Sequence, residues 1–396
     1  MDLVLLNGRV MTDRGLADGL AVRLRGDRIA AVGAAEAVAA GAHARDLRGA
    51  ILLPGFIDTQ VNGGGGVLFN DQPTVQGIAA IAAAHRQFGT TGLLPTLISD
   101  DLDVVRKAVA ATEAAVADRV PGVLGAHIEG PFLNAKRKGI HDAAKFRKLD
   151  DEAFAAVTAL KAGRTLVTLA PEATTPDAIA RLVAAGVVVA AGHTNAHYAT
   201  IRHALDAGLT GFTHLFNAMS PLTSREPGVV GAALEDQTAW AGIIVDGRHV
   251  DPVVLKLAMR CRPLERFMLV TDAMPCVGSD AQSFQLQGKT ITVKNGACVD
   301  DHGTLAGSAL DMAGAVRNAV NMLGLSLQEA SRLASRNPAE FLGLDHERGR
   351  IAPGYLADLV LADDELNVLD TWIAGVDSAA AEDAAARPGA RRGGRA

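Results

Sequence analysis

The sequence is poor in cysteine and in aromatic residues. Only three of its 396 residues are cysteines, Cys261, Cys276 and Cys298, and they form no CxxC motif. An odd number of widely spaced cysteines argues against a disulfide framework and favours a reducing compartment, so we expect a cytoplasmic protein. Aromatic residues make up 4% of the chain, so aliphatic side chains are expected to fill the core.

Long apolar runs and an excess of positive charge are also missing. No uncharged segment reaches the roughly 20 residues that a membrane-spanning helix needs. The N-terminal segment MDLVLLNGRVMTDRG has an acid at position 2 and only a short apolar run, which is not typical of a signal peptide. The formal net charge is −6. We therefore expect neither membrane insertion nor general nucleic-acid binding, whereas a few local Arg and His residues could still bind an anionic small molecule.

What is present is an alternation of apolar strands and amphipathic helices. Eight apolar runs resemble buried parallel strands, and segments with helical periodicity separate most of them. The runs begin at Gly55, Gly92, Val123, Thr165, Gly186, Leu209, Trp240 and Phe267. Eight such units predict an α/β fold of the (β/α)₈ TIM-barrel type, with an open doubly wound sheet as the alternative. After the eighth run, SFQLQGKTITVKNGACVDDHG predicts an inserted β-hairpin.

The two ends of the chain have a β-rich pattern that differs from the middle. Short strand-like runs separated by turn residues fill the first fifty residues and return between Arg348 and Gly375. Because chain termini often lie close together, we predict one β-sandwich module from residues 1–53 and 346–377, beside a barrel of residues 54–345. Residues 378–396 lack large apolar side chains and are predicted to be a disordered tail.

Three of the predicted strands end in residues that can bind a metal. Glu129 ends the third strand in GAHIEGPF, His193 ends the fifth and His214 ends the sixth. The carboxyl ends of the strands form the active-site rim of an α/β barrel, so these side chains are expected to converge. One carboxylate and two imidazoles with an open fourth position match a catalytic zinc site. The alternative is that Glu129 pairs with a basic side chain and both histidines are hydrogen-bonded core residues.

Other predicted rim residues carry groups suited to proton transfer and to anion binding. Asp272 ends the eighth strand, where a carboxylate can take a proton from water and pass it to a leaving nitrogen. A purely structural carboxylate is the alternative. His141, on a loop after the third strand, could donate a hydrogen bond to a carbonyl oxygen. Arg225 in SPLTSREPG and His249 in VDGRHV are candidates for binding phosphate, and solvated loop charges are the alternative.

Taken together, these motifs resemble those of the N-acetylglucosamine-6-phosphate deacetylase family within the amidohydrolase superfamily. The matching stretches are HIEGPF, AGHT, THLFNAMS, GIIVDGRHV, LVTDAM and GTLAGSAL, and the wider superfamily shares PGFID near the start and GRIAPGYLADLVL near the end. The resemblance covers nearly all of the chain except the tail. It implies a deformed (β/α)₈ barrel with a β-sandwich from both chain ends. It also implies hydrolysis of N-acetylglucosamine 6-phosphate to glucosamine 6-phosphate and acetate.

The resemblance further implies roles for individual residues. The metal ligands would be Glu129, His193 and His214. Asp272 would act as general base and then as general acid, and His141 would polarise the acetamide carbonyl. The residues that would contact the sugar phosphate are His141, Asn217, Ala218, Arg225, His249, Leu305, Ala306 and Gly307. The residue matching Arg225 reaches the neighbouring subunit's site in this family, so a homodimer is implied.

The sequence departs from many amidohydrolases at the end of the first predicted strand. Those enzymes have a His-x-His motif there and bind two metals, whereas this chain has Asp58-Thr59-Gln60. Neither Gln60 nor Asn62 replaces imidazole as a good zinc ligand. We therefore expect one divalent metal per subunit, Zn²⁺ first and Fe²⁺, Co²⁺ or Mn²⁺ as alternatives, with Asp58 and Gln60 supporting the site.

Three rival functions stay open at this point. The substrate could be N-acetylgalactosamine 6-phosphate, or the chain could be a cyclic-amide hydrolase of the dihydroorotase type. The segment TLAPE after the fourth strand supplies no lysine that could be carboxylated, which disfavours the cyclic-amide type. A non-catalytic sugar-phosphate-binding protein would be expected to lose Asp272 or a metal ligand, and this chain keeps them all.

Overall fold

Eight parallel strands form the central barrel of the structure, which is a computed structural model describing residues 2–385. With strands numbered in chain order, they are β8 (Phe56–Val61), β11 (Thr90–Ile98), β12 (Gly125–Glu129), β13 (Arg164–Leu169), β14 (Val188–Ala191), β15 (Gly211–Phe212), β16 (Trp240–Ile243) and β17 (Phe267–Leu269). Each strand pairs with the next. The barrel closes because Ala273, just after β17, forms a parallel bridge with Val61 of β8. The predicted barrel is therefore confirmed, and the alternative of an open sheet is wrong.

Helices pack around the outside of this barrel. They are α2 (Val75–Arg86), α3 (Leu102–Ala117), α4 (Asp151–Val157), α5 (Pro176–Ala184), α6 (Tyr198–Asp206), α7 (Gly228–Glu235), α8 (Pro252–Cys261), α9 (Met312–Leu323), α10 (Leu327–Ala334) and α11 (Arg336–Phe341), with 3₁₀ turns at Ala135–Arg137, Ala143–Lys145, Pro171–Ala173 and Leu264–Arg266. The side chains of Thr74, Asp150 and Thr175 cap the first turns of α2, α4 and α5. Between residues 2 and 385, no helix is long and apolar enough to cross a bilayer.

Both ends of the chain build a β-sandwich beside the barrel. One sheet has the order β5-β4-β1-β6 and the other has the order β23-β22-β7-β2-β3. The elements are β1 (Leu3–Leu6), β2 (Arg9–Thr12), β3 (Gly15–Ala17), β4 (Leu20–Arg25), β5 (Arg28–Ala34), α1 (Ala35–Val38), β6 (His43–Asp46), β7 (Ile51–Pro54), β22 (Leu359–Ala362) and β23 (Val368–Trp372). Leu5 of the first sheet and Leu52 and Trp372 of the second belong to one buried apolar cluster. The predicted sandwich from both chain ends is confirmed.

An antiparallel sheet follows the last barrel strand and contains the predicted hairpin. Its strands are β18 (Ser283–Leu286), β19 (Lys289–Lys294), β20 (Ala297–Val299) and β21 (Leu305–Ser308), and a small pair, β9 (Gly63–Gly64) and β10 (Val67–Leu68), follows the first barrel strand. The hairpin of β18, β19 and their connecting turn is termed the flap below. β21 runs directly against the Asp272 backbone. A Cβ atom on Gly307, whose φ is +61°, would lie 2.7 Å from the Asp272 carbonyl oxygen, so glycine is required there.

The structure corrects the prediction for the start of the C-terminal tail. Residues Ser378–Ala385 form helix α12 rather than disordered chain. Asp377 Oδ1 accepts a hydrogen bond from the Ala380 N–H at the start of this helix, and alanine has the highest helix propensity. The Ser378 hydroxyl lies 2.9 Å from Thr371 Oγ1 in β23, which attaches the helix to the sandwich. The rest of the predicted tail, residues 386–396, lies outside the described residues.

Candidate active site

Four of the predicted site residues meet at the carboxyl end of the barrel. Glu129 is the last residue of β12, and His193, His214 and Asp272 come shortly after the ends of β14, β15 and β17. Glu129 and both histidines are buried. Because all these strands are parallel, their carboxyl ends lie on one rim, and residues up to 143 positions apart in the chain become neighbours there (272 minus 129).

Three of these residues have a backbone conformation that is uncommon outside glycine. The angle φ is +47° at His193, +33° at His214 and +54° at Asp272. A left-handed residue just after a strand turns the chain sharply, and His and Asp tolerate this conformation better than most residues. Strained backbone of this kind is typical of sites that need a fixed side-chain direction. The backbone therefore helps to aim these three side chains.

Glu129, His193 and His214 form a compact cluster of metal-binding atoms. Glu129 Oε1 lies 3.1 Å from Nε2 of each histidine, and the two Nε2 atoms are 3.0 Å apart. The His193 Nδ1–H donates to the Arg137 carbonyl at 2.9 Å, so the His193 Nε2 lone pair faces the cluster. Tetrahedral ligands about 2.1 Å from a zinc ion are roughly 3.4 Å from each other. The cluster therefore fits one divalent cation, which would relieve the repulsion between its converging lone pairs.

Burial and neighbouring charges shift the two rim carboxyl groups in opposite directions. Burial alone raises the pKa of Glu129, but the close contacts with His193 and His214 outweigh it and hold that pKa well below its usual range in the metal-free protein. Burial raises the pKa of Asp272 to about 6, and the Glu129 charge adds to this shift. In the metal-free protein one carboxylate thus stays ionised while the other exchanges its proton near pH 6. Such a separation is typical of acid–base sites.

Two side-chain amides contact these carboxyl groups, and one of them bridges the pair. Gln60 Nε2 is 3.2 Å from both Glu129 carboxylate oxygens and 3.2 Å from Asp272 Oδ1. Asn62 Nδ2 donates to the same Asp272 oxygen at 2.6 Å. An N–H donor that bridges two carboxylates takes the place that a second cation would need. Sequence reasoning missed the role of Asn62, since nothing in the local sequence shows which distant acid it contacts.

Asp58 lies outside the cavity and holds the backbone near Gln60 and Asp272 in place. It is buried and accepts hydrogen bonds from the Gln60 N–H at 3.1 Å and from the Thr271 hydroxyl at 2.5 Å. Thr271 directly precedes Asp272, so one carboxyl group connects the first barrel strand to the segment after the last one. Asp58 therefore positions both Gln60 and Asp272 without facing the cavity.

His141 is held in one tautomer. The Ser99 N–H donates to His141 Nδ1 at 3.3 Å, and the Ser99 hydroxyl lies 2.8 Å from the same nitrogen. Because Nδ1 accepts, the ring proton of the neutral imidazole is on Nε2. Burial, together with the nearby His193, lowers the pKa of His141 well below its usual range, so the ring is neutral. His141 lines the cavity and can offer a neutral Nε2–H donor to a ligand there.

The metal-binding cluster opens into a cavity of about 450 Å³. Of the residues predicted to contact a sugar phosphate, those lining it are His141, Asn217, Ala218, His249, Leu305 and Gly307. Asp246 fixes His249, since Asp246 Oδ2 lies 2.6 Å from His249 Nδ1. The cavity is therefore lined both by the metal-binding cluster and by polar groups suited to an anionic ligand.

Two predicted contact residues do not line this cavity. Ala306 alternates with Leu305 and Gly307 along β21, so its methyl group belongs to the apolar cluster on the opposite face. Arg225 is exposed on the loop between β15 and α7 and is not among the residues that line the cavity of its own chain.

The cavity also contains two basic residues that the sequence motifs did not identify. Lys136 and Arg137 belong to the 3₁₀ turn after β12 and line the cavity. The Arg137 Nε–H donates to Asn195 Oδ1 at 2.9 Å, while the Arg137 carbonyl holds His193. The basic run AKRK, a few residues after a rim strand, was the signal for them, because loops at this end of a barrel face the ligand.

Comparison with known proteins identifies the family. The chain matches the Amidohydrolase family over residues 51–378. It is 47% identical over 324 residues to N-acetylgalactosamine-6-phosphate deacetylase of Shewanella sp. (strain ANA-3), covering 82% of each chain. N-acetylglucosamine-6-phosphate deacetylase from Pasteurella multocida superposes with a TM-score of 0.92 and 35% identity, covering 96% of this chain and 100% of that chain.

A second solved structure includes a ligand. It is an aspartate-to-alanine mutant of N-acetyl-D-glucosamine-6-phosphate deacetylase from Mycobacterium smegmatis in complex with N-acetyl-D-glucosamine-6-phosphate. It superposes with a TM-score of 0.87 and 37% identity, covering 95% of this chain and 98% of that chain. The chain therefore belongs to the amidohydrolase family, and within it to the group of sugar-phosphate deacetylases that these relatives represent.

Proposed function

We propose that this protein is a metal-dependent hydrolase that removes the N-acetyl group of N-acetylglucosamine 6-phosphate, giving glucosamine 6-phosphate and acetate. The observation that carries the proposal is the cluster of Glu129, His193 and His214 beside Asp272 at the barrel rim. The deacetylases that superpose on nearly the whole chain support the same substrate class. A cytoplasmic location fits the three free cysteines.

One divalent cation would bind to Glu129, His193 and His214. Zn²⁺ is the first choice, because two imidazoles and a carboxylate with an open position suit it, and Fe²⁺, Co²⁺ and Mn²⁺ are the alternatives. A cation there supplies Lewis acidity, which makes water a better nucleophile and polarises a carbonyl group. Gln60 favours a single cation, since its amide nitrogen bridges Glu129 and Asp272.

Asp272 would move the protons. The pKa of Asp272 is about 6 in the metal-free protein, and a cation beside it would lower that pKa, so its carboxylate is ionised at neutral pH and can accept a proton from the attacking water. The carboxyl group then gives this proton to the nitrogen of the departing amine as the acetamide C–N bond breaks. Gln60 and Asn62 both donate to Oδ1, so Oδ2 is the oxygen available for the transfer.

His141 would stabilise the charge that develops on the acetamide oxygen. Its Nε2–H is the available donor, because Ser99 occupies Nδ1. A donor placed where charge develops stabilises the transition state more than the ground state. A neutral imidazole suits this role, since its proton is shared with the oxyanion and is not transferred to it.

The phosphate group would bind to basic residues that line the cavity, for which Lys136, Arg137 and His249 are the candidates. We extend this proposal to a homodimer in which the exposed Arg225 of one chain reaches the cavity of the other. An arginine fork would then contact the phosphate from outside its own chain. Light scattering should give the mass of two chains. Arg225→Ala should raise KM for the phosphorylated sugar and leave KM for the unphosphorylated sugar unchanged.

The direct test is acetate release from N-acetylglucosamine 6-phosphate before and after treatment with a chelator. We expect activity to be lost on chelation and restored by one equivalent of Zn²⁺ per chain. His214→Ala should bind the metal more weakly and lose activity in the same assay. Full activity in excess chelator, or a requirement for two equivalents per chain, would contradict the proposal.

N-acetylgalactosamine 6-phosphate is the second candidate substrate. The relative from Shewanella, at 47% identity, carries that name and favours it. The two sugars differ only in the configuration of one ring hydroxyl, so both would place the acetamide and the phosphate in the same cavity. Measuring kcat/KM for both sugars under one set of conditions decides between them, and a higher value for the galactose configuration would replace the first candidate by the second.

A further inference from the structure

Two cysteines outside the metal-binding cluster lie in contact. Cys276, in the loop after β17, and Cys298, in β20, have Sγ atoms 3.6 Å apart although 22 positions separate them in the chain. Both are free thiols, Cys276 partly exposed and Cys298 buried. A disulfide bond of about 2.05 Å would need the two sulfurs to approach by roughly 1.5 Å.

One of the two thiols lies on a fixed loop, and the other lies at the base of the flap. The Cys276 loop is held by the turn between β9 and β10, since the Gly66 N–H donates to the Pro275 carbonyl at 2.8 Å and the Gly65 N–H donates to the Val277 carbonyl at 2.7 Å. Cys298 pairs with Val293 in β19, so it is part of the same sheet as the flap. A covalent bond between the two sulfurs would therefore connect the sheet that contains the flap to the Cys276 loop after the last barrel strand.

The tip of the flap contacts the loops around the candidate active site. Gln287 Nε2 donates to the Ser99 carbonyl at 2.7 Å, and Gln287 Oε1 accepts from the Asp142 N–H at 2.9 Å. Both contacts are next to His141 of the candidate active site, because Ser99 contacts His141 and Asp142 directly follows it in the chain. Leu286, next to Gln287, lines the cavity. A ligand that enters on this side has to pass the flap.

We propose that Cys276 and Cys298 are a redox site, at which a peroxide forms an intramolecular disulfide that locks the flap over the cavity. The Cys276 thiolate attacks a peroxide oxygen, the O–O bond breaks, and Cys276 becomes a sulfenic acid while water leaves. The Cys298 thiol then attacks that sulfur, a second water leaves, and the S–S bond closes. Two thiols lose two electrons and two protons, and one hydrogen peroxide becomes two waters.

Exposure and hydrogen bonding both favour this order of events. Cys276 is the more accessible of the two sulfurs, whereas Cys298 is buried against apolar side chains. The hydrogen bond from Cys298 lowers the pKa of the Cys276 thiol, which raises its thiolate fraction. Cys298 already lies in contact with the sulfur that reacts first, so it can resolve the sulfenic acid before a second oxidation.

The test is peptide mapping of the full-length protein after treatment with hydrogen peroxide and alkylation of the remaining thiols. Trypsin cleaves after Arg266, Lys289, Lys294 and Arg317. We expect the peptide of residues 267–289 to be joined to that of residues 295–317, with the loss of two hydrogens, and dithiothreitol should separate them. Overoxidation of Cys276 while Cys298 stays alkylatable would overturn the proposal.

Two variants are the controls, one at the exposed Cys261 and one at Cys276. Cys261→Ser should form the joined peptides as the unmodified protein does. In Cys276→Ser, a change at a partly exposed position, Cys298 should stay reduced at the same peroxide concentration. Loss of the joined peptides in Cys261→Ser, or oxidation of Cys298 without Cys276, would mean that the two thiols do not act as a pair.

Hydrogen exchange tests whether the bond locks the flap. Amides of residues 283–294 should exchange more slowly by roughly threefold or more after oxidation, because local opening of the flap is restricted, and dithiothreitol should reverse the change. Amides of α5, remote from the pair, should be unaffected. Unchanged exchange rates in the flap of the disulfide form would show that the disulfide does not lock the flap. Neither peptide mapping nor hydrogen exchange depends on the deacetylase activity.

Discussion

The core of the β-sandwich and the mouth of the barrel both bury side chains, but of opposite kinds. The mouth is the rim at which Glu129, His193, His214 and Asp272 meet. The sandwich core consists of apolar residues such as Leu5, Leu52 and Trp372. Around the mouth the buried groups include Glu129 and His214. Apolar burial stabilises the fold by about 25 cal/mol per Å², whereas a buried carboxylate destabilises it unless a partner compensates the charge. Burial in the sandwich thus raises the stability of the fold, whereas burial of reactive groups at the mouth lowers it.

The backbone shows the same contrast. In the sandwich, the non-glycine residues Asn7 and Arg48 have positive φ at exposed turns, where the chain reverses and little packing depends on them. At the mouth, His193 and His214 are buried and adopt positive φ directly after strands. Strain at the mouth is maintained by the surrounding barrel. The comparison predicts that substitutions at the mouth change activity more than stability, and that substitutions in the sandwich do the reverse.

Asp272→Asn should give the largest effect and would show the behaviour expected of the mouth. We expect kcat to fall by about 10²–10⁴-fold, because the amide can neither take a proton from water nor give one to the amine. KM should change little, since Asn keeps the Oδ1 that accepts from Gln60 and Asn62. Steady-state kinetics of acetate release measures both quantities. Asp177→Asn, at an exposed position in α5, is the control and should behave as the unmodified protein does.

The same variant tests the stability side of the comparison. The pKa of Asp272 is raised to about 6 in the folded metal-free protein, so the stability that its protonated form contributes is lost as pH rises from about 4 through about 6. Asp272→Asn should remove this loss. The Tm of the metal-free variant should therefore exceed that of the unmodified protein at pH 8, and the difference should shrink toward pH 4. A lower Tm at pH 8 would break the comparison.

The barrel could be predicted from the sequence because its signals are local. The run from Gly92 corresponds to β11 and the run from Thr165 corresponds to β13, since buried parallel strands are continuous apolar segments bounded by turns. The rim positions of Glu129 and His193 could also be predicted, because parallel strands end on one side. β15, in contrast, is only Gly211–Phe212, since the chain turns at His214 before the apolar run ends.

What the sequence could not reveal depends on contacts between distant residues. Asn62 and Gln60 could be excluded as good zinc ligands, but not recognised as the donors to Asp272. Three scattered cysteines argued against disulfides, yet the fold brings Cys276 and Cys298 into contact. The helix that begins at Ser378 was missed because an alanine-rich segment without large apolar residues has the composition of both a tail and a helix.

Leu5→Ala should give the next largest effect and represents the sandwich. Removing a buried leucine from the cluster should lower the free energy of unfolding by about 2–5 kcal/mol, through lost burial and the cavity left behind. The kcat measured well below Tm should be unchanged, because Leu5 lies in β1 and not at the mouth. Urea denaturation and kinetics on the same preparation measure the two effects.

Leu16→Ala is the matched control in the same sandwich. Leu16 is 40% exposed in β3, whereas Leu5 is 1% exposed, so its truncation removes little buried surface. We expect a change in the free energy of unfolding of about 0.5 kcal/mol or less. A large loss of kcat in Leu5→Ala without loss of folded protein would show that the sandwich shapes the mouth, and the division between the two regions would fail.

Ser99→Ala should give the smallest effect and tests how finely the mouth is positioned. The Ser99 hydroxyl lies 2.8 Å from His141 Nδ1, but the Ser99 N–H, at 3.3 Å, remains in the variant and still favours the same tautomer. Losing one hydrogen bond of about 0.5–1.5 kcal/mol should lower kcat by roughly two- to tenfold and leave KM unchanged, because His141 is proposed to act on the developing oxyanion.

Ser335→Ala is the matched control. The buried Ser335 hydroxyl donates to the Pro54 carbonyl at 3.2 Å, before the first barrel strand, and its loss should lower stability without lowering kcat. Equal kcat values in the two variants would mean that the Ser99 hydroxyl only packs against its neighbours, and that catalysis does not require this hydrogen bond to position His141.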